Sequence, residues 1–329
     1  MPVTYISWAP HCSRSDYTAR ELEGTSHMVY WGALGSKAST VWLKYLGQAV
    51  RTWQILLRER PDAVFVMSPP VVAGLVVYPY CGMRGIPFVV DAHTGAFLDR
   101  RWRHFQRLQH WLCRKAATTI VTNTHLEALL ASHGSDATIL PDVPVKYPLG
   151  RVAFDKSRFL VAAICSFDYD EPIDLLLESA RAMPDVRFLV TGDPNVLRRP
   201  GLELPENLSL TGFLDNATYG ELLRSADVVM ALTRGKHKML RAAYEAIYQG
   251  TPIIISDSPM LRAEFDRGAI VVDNSVQAIM AAVRAMRDNL EHYRQEAAAL
   301  RETKYERWQR NRALLLAKIR PAFAGSVHA

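Results

Sequence analysis

A run of cations before a predicted helix is the part of the sequence best suited to binding an anion. It consists of Arg234, Lys236, Lys238 and Arg241. The helix predicted over residues 240–249 offers unpaired backbone N–H groups and a positive dipole end at its start, which favour an anion. We therefore expect a diphosphate to bind here without a metal ion, and the alternative is a solvated basic loop.

A second group of candidate residues follows a predicted buried strand, residues 85–91. Asp91 and His93 stand two positions apart, with Gly95 behind them. A histidine at the carboxyl edge of a sheet can donate a hydrogen bond to a sugar hydroxyl or carry a proton. We expect His93 and Asp91 to take part in catalysis. The alternative is that both are engaged in local turn hydrogen bonds.

The loop after the first predicted strand is a further candidate for contact with a phosphate. It contains His11 and Arg14, and Arg14 can take part of a phosphate charge. A capped helix start, with Ser15 or Asp16 as the N-cap and Arg14 on the surface, explains the same residues equally well. The loop has no glycine, which argues against close backbone approach of a ligand.

The sequence gives little reason to expect a metal ion or a resident cofactor. Asp168 and Asp170 form a D-x-D pair, and two carboxylates can hold a divalent ion against a diphosphate. The pair follows the first strand of a second α/β half, however, where an acidic loop before a helix is the simpler interpretation. The cysteines lack metal-ligand spacing and are predicted to be free thiols. They are Cys12, Cys81, Cys113 and Cys165.

Strands and helices alternate along the chain and must position these residues. Short Val-, Ile- and Leu-rich runs bounded by turns indicate parallel sheets covered on both faces. A clear helical period spans residues 40–60. Its apolar positions are Leu43, Leu46, Val50, Trp53, Leu56 and Leu57. The alternation stops at residues 141–150, which contain three prolines and a glycine, and then restarts.

This organisation predicts an α/β fold of two Rossmann-like, doubly wound parallel-sheet domains that face each other across a cleft. Ligands are expected at the carboxyl ends of the strands, in the shared cleft. The first domain is predicted over residues 1–145 and the second over residues 150–300. The C-terminal helix, about residues 303–322, is expected to join the first domain.

The net charge and the hydropathy of the chain limit the kinds of molecule that it is expected to bind. The 329 residues carry a net charge of +6, with a sequence pI near 9.1, which favours an anionic partner. No recognition motif accompanies the charge, so nucleic acid is not expected. The longest apolar run, residues 71–78, is shorter than the roughly 20 residues of a membrane span. The first residues lack a signal-peptide pattern, so a cytoplasmic location is expected.

The densest basic stretch, residues 100–115, is a predicted amphipathic helix. Trp102, Phe105 and Leu112 fall near helical spacing, whereas Arg103 and Arg107 lie mostly off that stripe. Aromatics beside arginines suit peripheral contact with an anionic membrane, on its inner face. The alternative is an ordinary helix with its stripe in the core and its arginines in water.

The second half resembles the donor-binding domain of GT-B glycosyltransferases, most closely the family 4 group. The resemblance lies in residues 207–215 (NLSLTGFLD), residues 219–230 (YGELLRSADVVM) and residues 244–257 (YEAIYQGTPIIISD). It extends over residues 155–290, while the first half matches mainly in the order of its elements.

The resemblance implies roles for individual residues. Glu245 would hold the ribose hydroxyls of the donor, and His237 stands where the family usually has a glutamate, which makes it a candidate catalytic residue. Ser166 and Glu171 align with the arginine and lysine that clamp the diphosphate in the family. The expected donor-binding residues are Glu245, Arg234, Lys236, Lys238, Met239, Arg241, Gly212, Phe213, Leu214 and Ser166. Of these, residues 212–214 would meet the base. In the family, the loop that corresponds to the one with His11 and Arg14 lies close to the donor phosphates and the acceptor.

We therefore expect a glycosyltransferase that moves a sugar from a nucleotide-sugar, such as a UDP-, GDP- or dTDP-sugar, to an acceptor. The acceptor is a glycan, a lipid-linked molecule or a small molecule. The resemblance implies a reaction that retains the anomeric configuration and needs no metal. The departures at positions 166, 171 and 237 leave a catalytically silent protein, which binds nucleotide-sugar or scaffolds partners, as an alternative. A UDP-sugar epimerase is another.

Overall fold

The computed structural model describes residues 2–32, 40–197 and 203–319, and it divides the chain into two α/β units. Unit 1 comprises Met1–Val143 and Trp308–Ala329, and unit 2 comprises Pro144–Arg307. The division between Val143 and Pro144 falls within the proline-rich segment at residues 141–150. The end of the predicted C-terminal helix, after residue 319, lies outside the described residues.

Unit 1 contains a six-stranded parallel sheet in the order β2-β1-β3-β4-β5-β6. Its strands are β1 (Val3–Ser7), β2 (Thr25–Met28), β3 (Ala63–Ser68), β4 (Phe88–Ala92), β5 (Thr118–Val121) and β6 (Ala137–Ile139). The strand order reverses between β1 and β3. The loops after these strands therefore border the switch point, where sheets of this kind bind ligands.

Helices cover the sheet of unit 1, and two of them differ from the sequence prediction. They are α1 (Ser13–Glu21), α2 (Val41–Glu59), α3 (Val71–Arg84), α4 (Gly95–Leu98), α5 (Gln106–Lys115) and α6 (Thr124–Ser132). The N-cap of α1 is Cys12, so the predicted cap at Ser15 or Asp16 is wrong. A 3-10 helix, Arg100–Phe105, precedes α5 where a continuous α-helix was predicted, and the Asp99 side chain accepts a hydrogen bond from the Arg101 N–H at its start.

Unit 2 repeats the doubly wound plan in the order β12-β11-β10-β7-β8-β9. Its strands are β7 (Phe159–Ala163), β8 (Val186–Thr191), β9 (Leu208–Gly212), β10 (Val228–Ala231), β11 (Ile253–Ser256) and β12 (Ala269–Val272). Its helices are α7 (Ile173–Arg181), α8 (Asn216–Ser225), α9 (Arg241–Gln249), α10 (Pro259–Glu264) and α11 (Val276–Asp288), with a 3-10 helix at Pro194–Leu197. The switch point lies between β7 and β10, so the loops after these two strands are the expected ligand loops.

The long helix α12 (Leu290–Ile319) is shared by the two units. From Trp308 onward it belongs to unit 1, where Trp308 and Leu315 are fully buried in the same core as Tyr5 and Phe65. The predicted fold class, α/β with two doubly wound parallel sheets, is confirmed. Among the described helices, none has the length and apolar character needed to cross a membrane.

The apolar stripe of α5 faces the interior of unit 1. Leu112 and Cys113 are buried, and Leu108 and Trp111 pack against the same core. Arg107 is exposed, as in an ordinary surface helix. Phe105, which precedes α5, is 45% exposed, so only the part of the stripe on α5 lies in the core. Peripheral contact of residues 100–115 with an anionic membrane stays a prediction.

Candidate active site

Asp91, at the end of β4, lies at the centre of a buried polar cluster in unit 1. Its Oδ2 accepts hydrogen bonds from the Tyr5 hydroxyl and, at 3.2 Å, from Arg14 Nε. Arg14 also donates to Asp142 Oδ1 at 2.8 Å and to the Leu140 carbonyl at 3.0 Å. The Arg14 side chain is 7% exposed. Its charge is balanced internally by two carboxylates. The alternative that placed Arg14 on the surface is therefore wrong, and contact of Arg14 with a phosphate stays a prediction.

Asp91 is held as a carboxylate in this cluster. Burial alone would raise its pKa, but the charges of Arg14 and His93 and the hydrogen bond from Tyr5 bring the pKa below its ordinary value. Its other oxygen, Oδ1, is buried and has no hydrogen-bond partner among the described residues. A buried, unpaired carboxylate oxygen at the end of a strand is a position that a ligand hydroxyl can fill.

His93 lies beside the Cys12 thiol at the same edge of the sheet. Burial alone would lower the pKa of His93, but Cys12 and the charge of Asp91 raise it above 6.5. Burial would raise the pKa of Cys12, yet His93 and the Ser15 hydroxyl, which donates to Sγ at 3.1 Å, bring it below its ordinary value. Each group of the pair thus stabilises the charged form of the other.

The orientation of His93 suits a hydrogen-bond donor. Its Nε2 is buried and has no partner within the described part of the chain. A ring nitrogen without a partner can donate a hydrogen bond to a ligand oxygen when it carries the proton. His11 is exposed in the neighbouring loop after β1. The predicted residues His93, Asp91 and His11 thus share the carboxyl edge of one sheet.

In unit 2, Glu245 lies in the interior of α9 and is 7% exposed. Its Oε1 accepts hydrogen bonds from the Tyr147 hydroxyl at 2.8 Å and from Arg241 Nε at 2.7 Å. Its Oε2 accepts one from the Tyr219 hydroxyl at 2.7 Å. Burial and the Glu245 charge hold the pKa of Tyr219 well above its ordinary value, so this hydroxyl stays a donor.

Carboxylates neutralise most of the predicted basic turn. Arg234 donates to Asp174 at 2.9 Å, and both side chains are about half exposed or more. Lys238 donates to Asp170 at 2.8 Å, where the carboxylate is largely buried. Because Arg241 is paired with Glu245, Lys236 is the member of the four that forms no ion pair with a described residue. The turn is more balanced in charge than the sequence indicates.

Glu171 accepts hydrogen bonds from backbone N–H groups in the loop after β7. The family resemblance places the residues that clamp the diphosphate in this loop. The Glu171 carboxylate accepts hydrogen bonds from the N–H groups of Ser166 and Phe167 and from the Ser166 hydroxyl. Phe167 has a left-handed backbone, with φ of 60°. Consecutive N–H groups in such a turn form a nest suited to an anion. A side-chain carboxylate fills this nest in the described structure.

The predicted base-contacting residues follow β9 and leave room for a planar ligand. Gly212 has φ of 71°, and no heavy atom lies within 4 Å of the position that a Cβ would take. Phe213 is 78% exposed, which is unusual for a phenylalanine. An exposed aromatic face next to an open glycine can stack on a base. In the loop after β10, Lys236 and His237 are exposed and Met239 is partly buried.

The acidic pair at positions 168 and 170 has a structural role. Asp170 accepts hydrogen bonds from the Thr233 hydroxyl at 2.6 Å and from Lys238, joining the loops after β7 and β10. Burial raises its pKa, but Lys238 and Thr233 bring the pKa below the ordinary value. No cluster of three or more metal-ligating side chains occurs within the described ranges.

Sequence reasoning missed Cys12, Tyr147 and Tyr219. The two tyrosines reach Glu245 from positions 98 and 26 residues away, and residue spacing carries no signal for such contacts. For Cys12, the signal is its place in a loop after the first strand, the same position that identified His11.

Two family models match the chain. The Glycosyl transferase 4-like domain matches residues 10–141, and Glycosyl transferases group 1 matches residues 158–289. Over 226 residues the chain is 31% identical to the phosphatidyl-myo-inositol mannosyltransferase of Mycolicibacterium smegmatis. That match covers 60% of this chain and 55% of the relative, so the chain spans about half the length of the curated relative.

Solved structures share the fold over nearly the whole chain. Sucrose-phosphate synthase from Thermosynechococcus elongatus has a TM-score of 0.73 at 14% identity, over 99% of this chain and 100% of that one. HepE from Anabaena in complex with UDP-glucose has a TM-score of 0.71 at 12% identity, over 96% and 100%. At such low identity the likeness shows the fold alone, which is that of two-unit GT-B proteins.

Proposed function

Because the chain belongs to the group 1 glycosyltransferases, we propose that it transfers a sugar from a nucleotide-sugar donor to an acceptor hydroxyl. The observation that carries the proposal is the buried, fully oriented carboxylate of Glu245, next to the ligand loops of unit 2. A carboxylate held by three donors at a known geometry is preorganised to accept a ribose hydroxyl. The HepE neighbour, whose structure contains UDP-glucose, supports a nucleotide-sugar as the ligand.

The donor's diphosphate is assigned to the loop between β10 and α9. Lys236 forms no ion pair with a described residue, and the Arg234–Asp174 pair is largely exposed. An exposed pair contributes about 0–1 kcal/mol, so a diphosphate can displace Asp174 at little cost. Lys238 is less available to bind the diphosphate, because leaving its largely buried partner Asp170 without an ion pair would cost more free energy. Met239 and Ser166 border the same loops, and Phe213 is assigned to the base.

Charge stabilisation of the departing nucleoside diphosphate is the main catalytic contribution in this proposal. Negative charge builds on the diphosphate as the sugar leaves, and Arg234 and Lys236, with the N–H groups at the start of α9, stabilise it. His237, exposed in the same loop, is assigned to the transferred sugar. We propose transfer with retention and without a metal ion, as the family resemblance implies.

The acceptor is assigned to unit 1, where His93 Nε2 and Asp91 Oδ1 are buried without described partners. Nε2 donates to an acceptor oxygen, and Oδ1 accepts from an acceptor hydroxyl. The name of the mycobacterial relative, a phosphatidyl-myo-inositol mannosyltransferase, supports a lipid-linked acceptor for this chain as well. The four free cysteines support a cytoplasmic location.

Donor screening followed by a transfer assay tests the proposal. The full chain is melted with a panel of UDP-, GDP- and dTDP-sugars, and a donor that binds raises the melting temperature by mass action. The same donor, radiolabelled in its sugar, is then incubated with membrane lipid extract. We expect a melting shift with one nucleotide class and label in the lipid phase. No shift with any donor contradicts the proposal, and a shift without transfer to any acceptor favours the silent binding protein.

A further inference from the structure

The carboxylate of Glu171 binds to a backbone site in unit 2 that is suited to a phosphate. Its Oε2 accepts hydrogen bonds from the N–H groups of Ser166 at 3.0 Å and Phe167 at 2.7 Å, and its Oε1 accepts one from the Ser166 hydroxyl at 2.9 Å. Two consecutive N–H groups that converge on one oxygen form a nest, an arrangement that binds anions. These two residues are called here the Ser166–Phe167 nest, and a carboxylate from the same loop occupies it.

Contacts that do not involve Glu171 hold the nest in its conformation. Before the nest, the Thr191 hydroxyl accepts a hydrogen bond from the Cys165 N–H at 3.0 Å and donates one to the Cys165 carbonyl at 3.1 Å. Within the nest, Phe167 has φ of 60°, and its ring packs against Gly192, where a Cβ would come within 2.7 Å of the ring. We therefore expect the two N–H groups to keep their orientation when Glu171 leaves.

The Ser166–Phe167 nest lies beside the loop to which the donor's diphosphate is assigned. Asp170 joins the loop after β7 to the loop after β10, because its side chain accepts hydrogen bonds from the Thr233 hydroxyl at 2.6 Å and from Lys238. The Asp170 carbonyl also accepts one from the Arg234 N–H at 2.7 Å. Since β7 and β10 are paired and paired strands lie about 4.8 Å apart, one diphosphate can contact both loops.

Glu171 itself is held less firmly than the nest. It is only partly buried, and it forms no ion pair with any residue that the structure describes. It borders a surface cavity of about 220 Å³, solvent space included, whose described lining is otherwise apolar and includes Cys165, Ile173 and Leu232. A partly exposed carboxylate exchanges protein hydrogen bonds for hydrogen bonds with water at a small net cost. A more highly charged anion can therefore displace it.

We propose that Glu171 is an internal competitor of the donor's diphosphate, an inference that rests on the proposed function. Its carboxylate occupies the nest in the free chain, gives way when a nucleotide-sugar binds, and returns when the nucleoside diphosphate leaves after transfer. A ligand that binds the open nest has its affinity reduced by the fraction of chains in which the nest is open. Glu171 therefore weakens the binding of donor and product by the same factor.

Calorimetric titration of the full chain with anions tests this competition. The wild type and two variants are titrated with inorganic pyrophosphate and with UDP, GDP and dTDP. Glu171→Ala opens the nest, and its affinity for pyrophosphate should rise about tenfold or more, as for hydrogen bonds to a charged group. Glu171→Gln removes the charge but keeps one acceptor oxygen, so a smaller gain is expected. The nucleoside diphosphate that binds should gain by the same factor as pyrophosphate, and the matching nucleoside should gain nothing.

Two further variants separate competition for the nest from other effects of the substitution. Glu178→Ala removes an exposed acid from α7 and should leave the affinity for pyrophosphate unchanged, which controls for the loss of negative charge. Ser166→Ala/Glu171→Ala also removes a hydroxyl donor of the nest, and it should bind pyrophosphate severalfold more weakly than Glu171→Ala. Circular dichroism and thermal melting check that each variant is folded.

Folded Glu171 variants that bind pyrophosphate no better than the wild type would overturn the inference, and so would an equal gain in Glu178→Ala. If Glu171→Ala does not fold, the comparison with Glu171→Gln decides alone. The proposed function fails separately. A wild type that binds a nucleoside diphosphate, with no gain in the variants, overturns only the inference. A gain for pyrophosphate in a chain that binds no nucleotide supports the competition for the nest and contradicts the proposed function.

Discussion

The oxygens of Glu245 differ in how many hydrogen bonds they already accept. Oε1 accepts two, from Tyr147 and Arg241, whereas Oε2 accepts one, from Tyr219. A carboxylate offers about four acceptor positions over its two oxygens. Among the described residues one position therefore remains, on Oε2, and under the proposed function it would accept one ribose hydroxyl of the donor rather than two.

Donor analogues that lack one ribose hydroxyl test whether Glu245 accepts a hydrogen bond from only one of the two hydroxyls. We expect one of the 2′-deoxy and 3′-deoxy forms of the preferred nucleotide to lose about tenfold or more in affinity, as for a hydrogen bond to a charged group. The other analogue should bind nearly as well as the parent nucleotide. Isothermal titration calorimetry gives both values, and equal losses for the two analogues would contradict the single contact.

The two tyrosines are predicted to hold Glu245 in position. Tyr219→Phe or Tyr147→Phe removes a hydrogen bond to a buried carboxylate and should lower the free energy of unfolding by about 1–3 kcal/mol. Donor affinity should fall as well, because the carboxylate is less well oriented. Tyr305→Phe changes a tyrosine that is 41% exposed and is the matched control. Normal donor affinity in both site variants would argue that their hydroxyls have no positioning role.

The pair of His93 and Cys12 predicts a pH dependence of stability. Because the folded protein raises the pKa of His93 above 6.5, its contribution to stability is fully present below that value. It is lost as the pH rises through the raised pKa. With Cys12→Ser in both proteins, the lowered pKa of the thiol adds no opposite trend. The difference in unfolding free energy caused by His93→Gln should then shrink with increasing pH. Denaturant unfolding from about pH 5 to 9 measures it, and a difference that grows with pH would contradict the assignment.

At the residue scale, the sequence identified the charged side chains of the site but not the residues that form ion pairs with them. The family-like motif led to Glu245, and spacing led to the cations of the basic turn. Asp170 and Asp174, which neutralise two of these cations, lie more than 50 positions earlier in the chain. The burial of Arg14 was not predicted for the same reason, since its carboxylate partners follow 77 and 128 positions later.

At the scale of elements, the segment between the units is held to α8 and α9. The Val145 carbonyl accepts a hydrogen bond from Gln249, and the Pro148 carbonyl accepts one from Arg224. Gly220 in α8 lies against Tyr147, so that a Cβ at Gly220 would come within 2.2 Å of Tyr147 Cβ. The shape of α8 therefore helps to position the tyrosine that orients Glu245.

Two glycine-to-alanine variants test this packing. Gly220→Ala gains helix propensity but forces Tyr147 to move, and we expect a net loss of about 1–3 kcal/mol with weaker donor binding. Gly82→Ala in α3, where nothing lies within 4 Å of the added Cβ, should instead gain about 0.5–1 kcal/mol. Thermal unfolding and donor titration of both variants measure the contrast. Equal effects of the two substitutions would show that Tyr147 is not tightly packed.

Element type was easier to predict than the direction in which an element faces. The continuous apolar runs of β3, β4 and β7 identify buried strands because helices cover both faces of the sheet. For α2, the apolar period predicted a helix, but it did not predict that Trp42, Leu46 and Val50 are exposed to solvent. The hydrogen bonds of Gln48 and Thr52 decide that orientation. For α5 the same kind of period lies in the core.

At the scale of the whole molecule, two successive α/β alternations were enough to predict two doubly wound units. The prolines of residues 141–150 indicated where one ends, and the units divide between Val143 and Pro144. The donor site is assigned to unit 2 and the acceptor site to unit 1. The central claim is that this chain binds a nucleotide-sugar through Glu245.

Calorimetric titration of the preferred nucleotide-sugar into the wild type and the Glu245→Gln variant is the most direct measurement of that claim. Glutamine keeps the size of the side chain but removes its charge and one acceptor oxygen. The account predicts saturable binding to the wild type and at least a tenfold loss in the variant, which corresponds to about 1.4 kcal/mol, with the fold intact by circular dichroism. Equal affinity of the two proteins would contradict it.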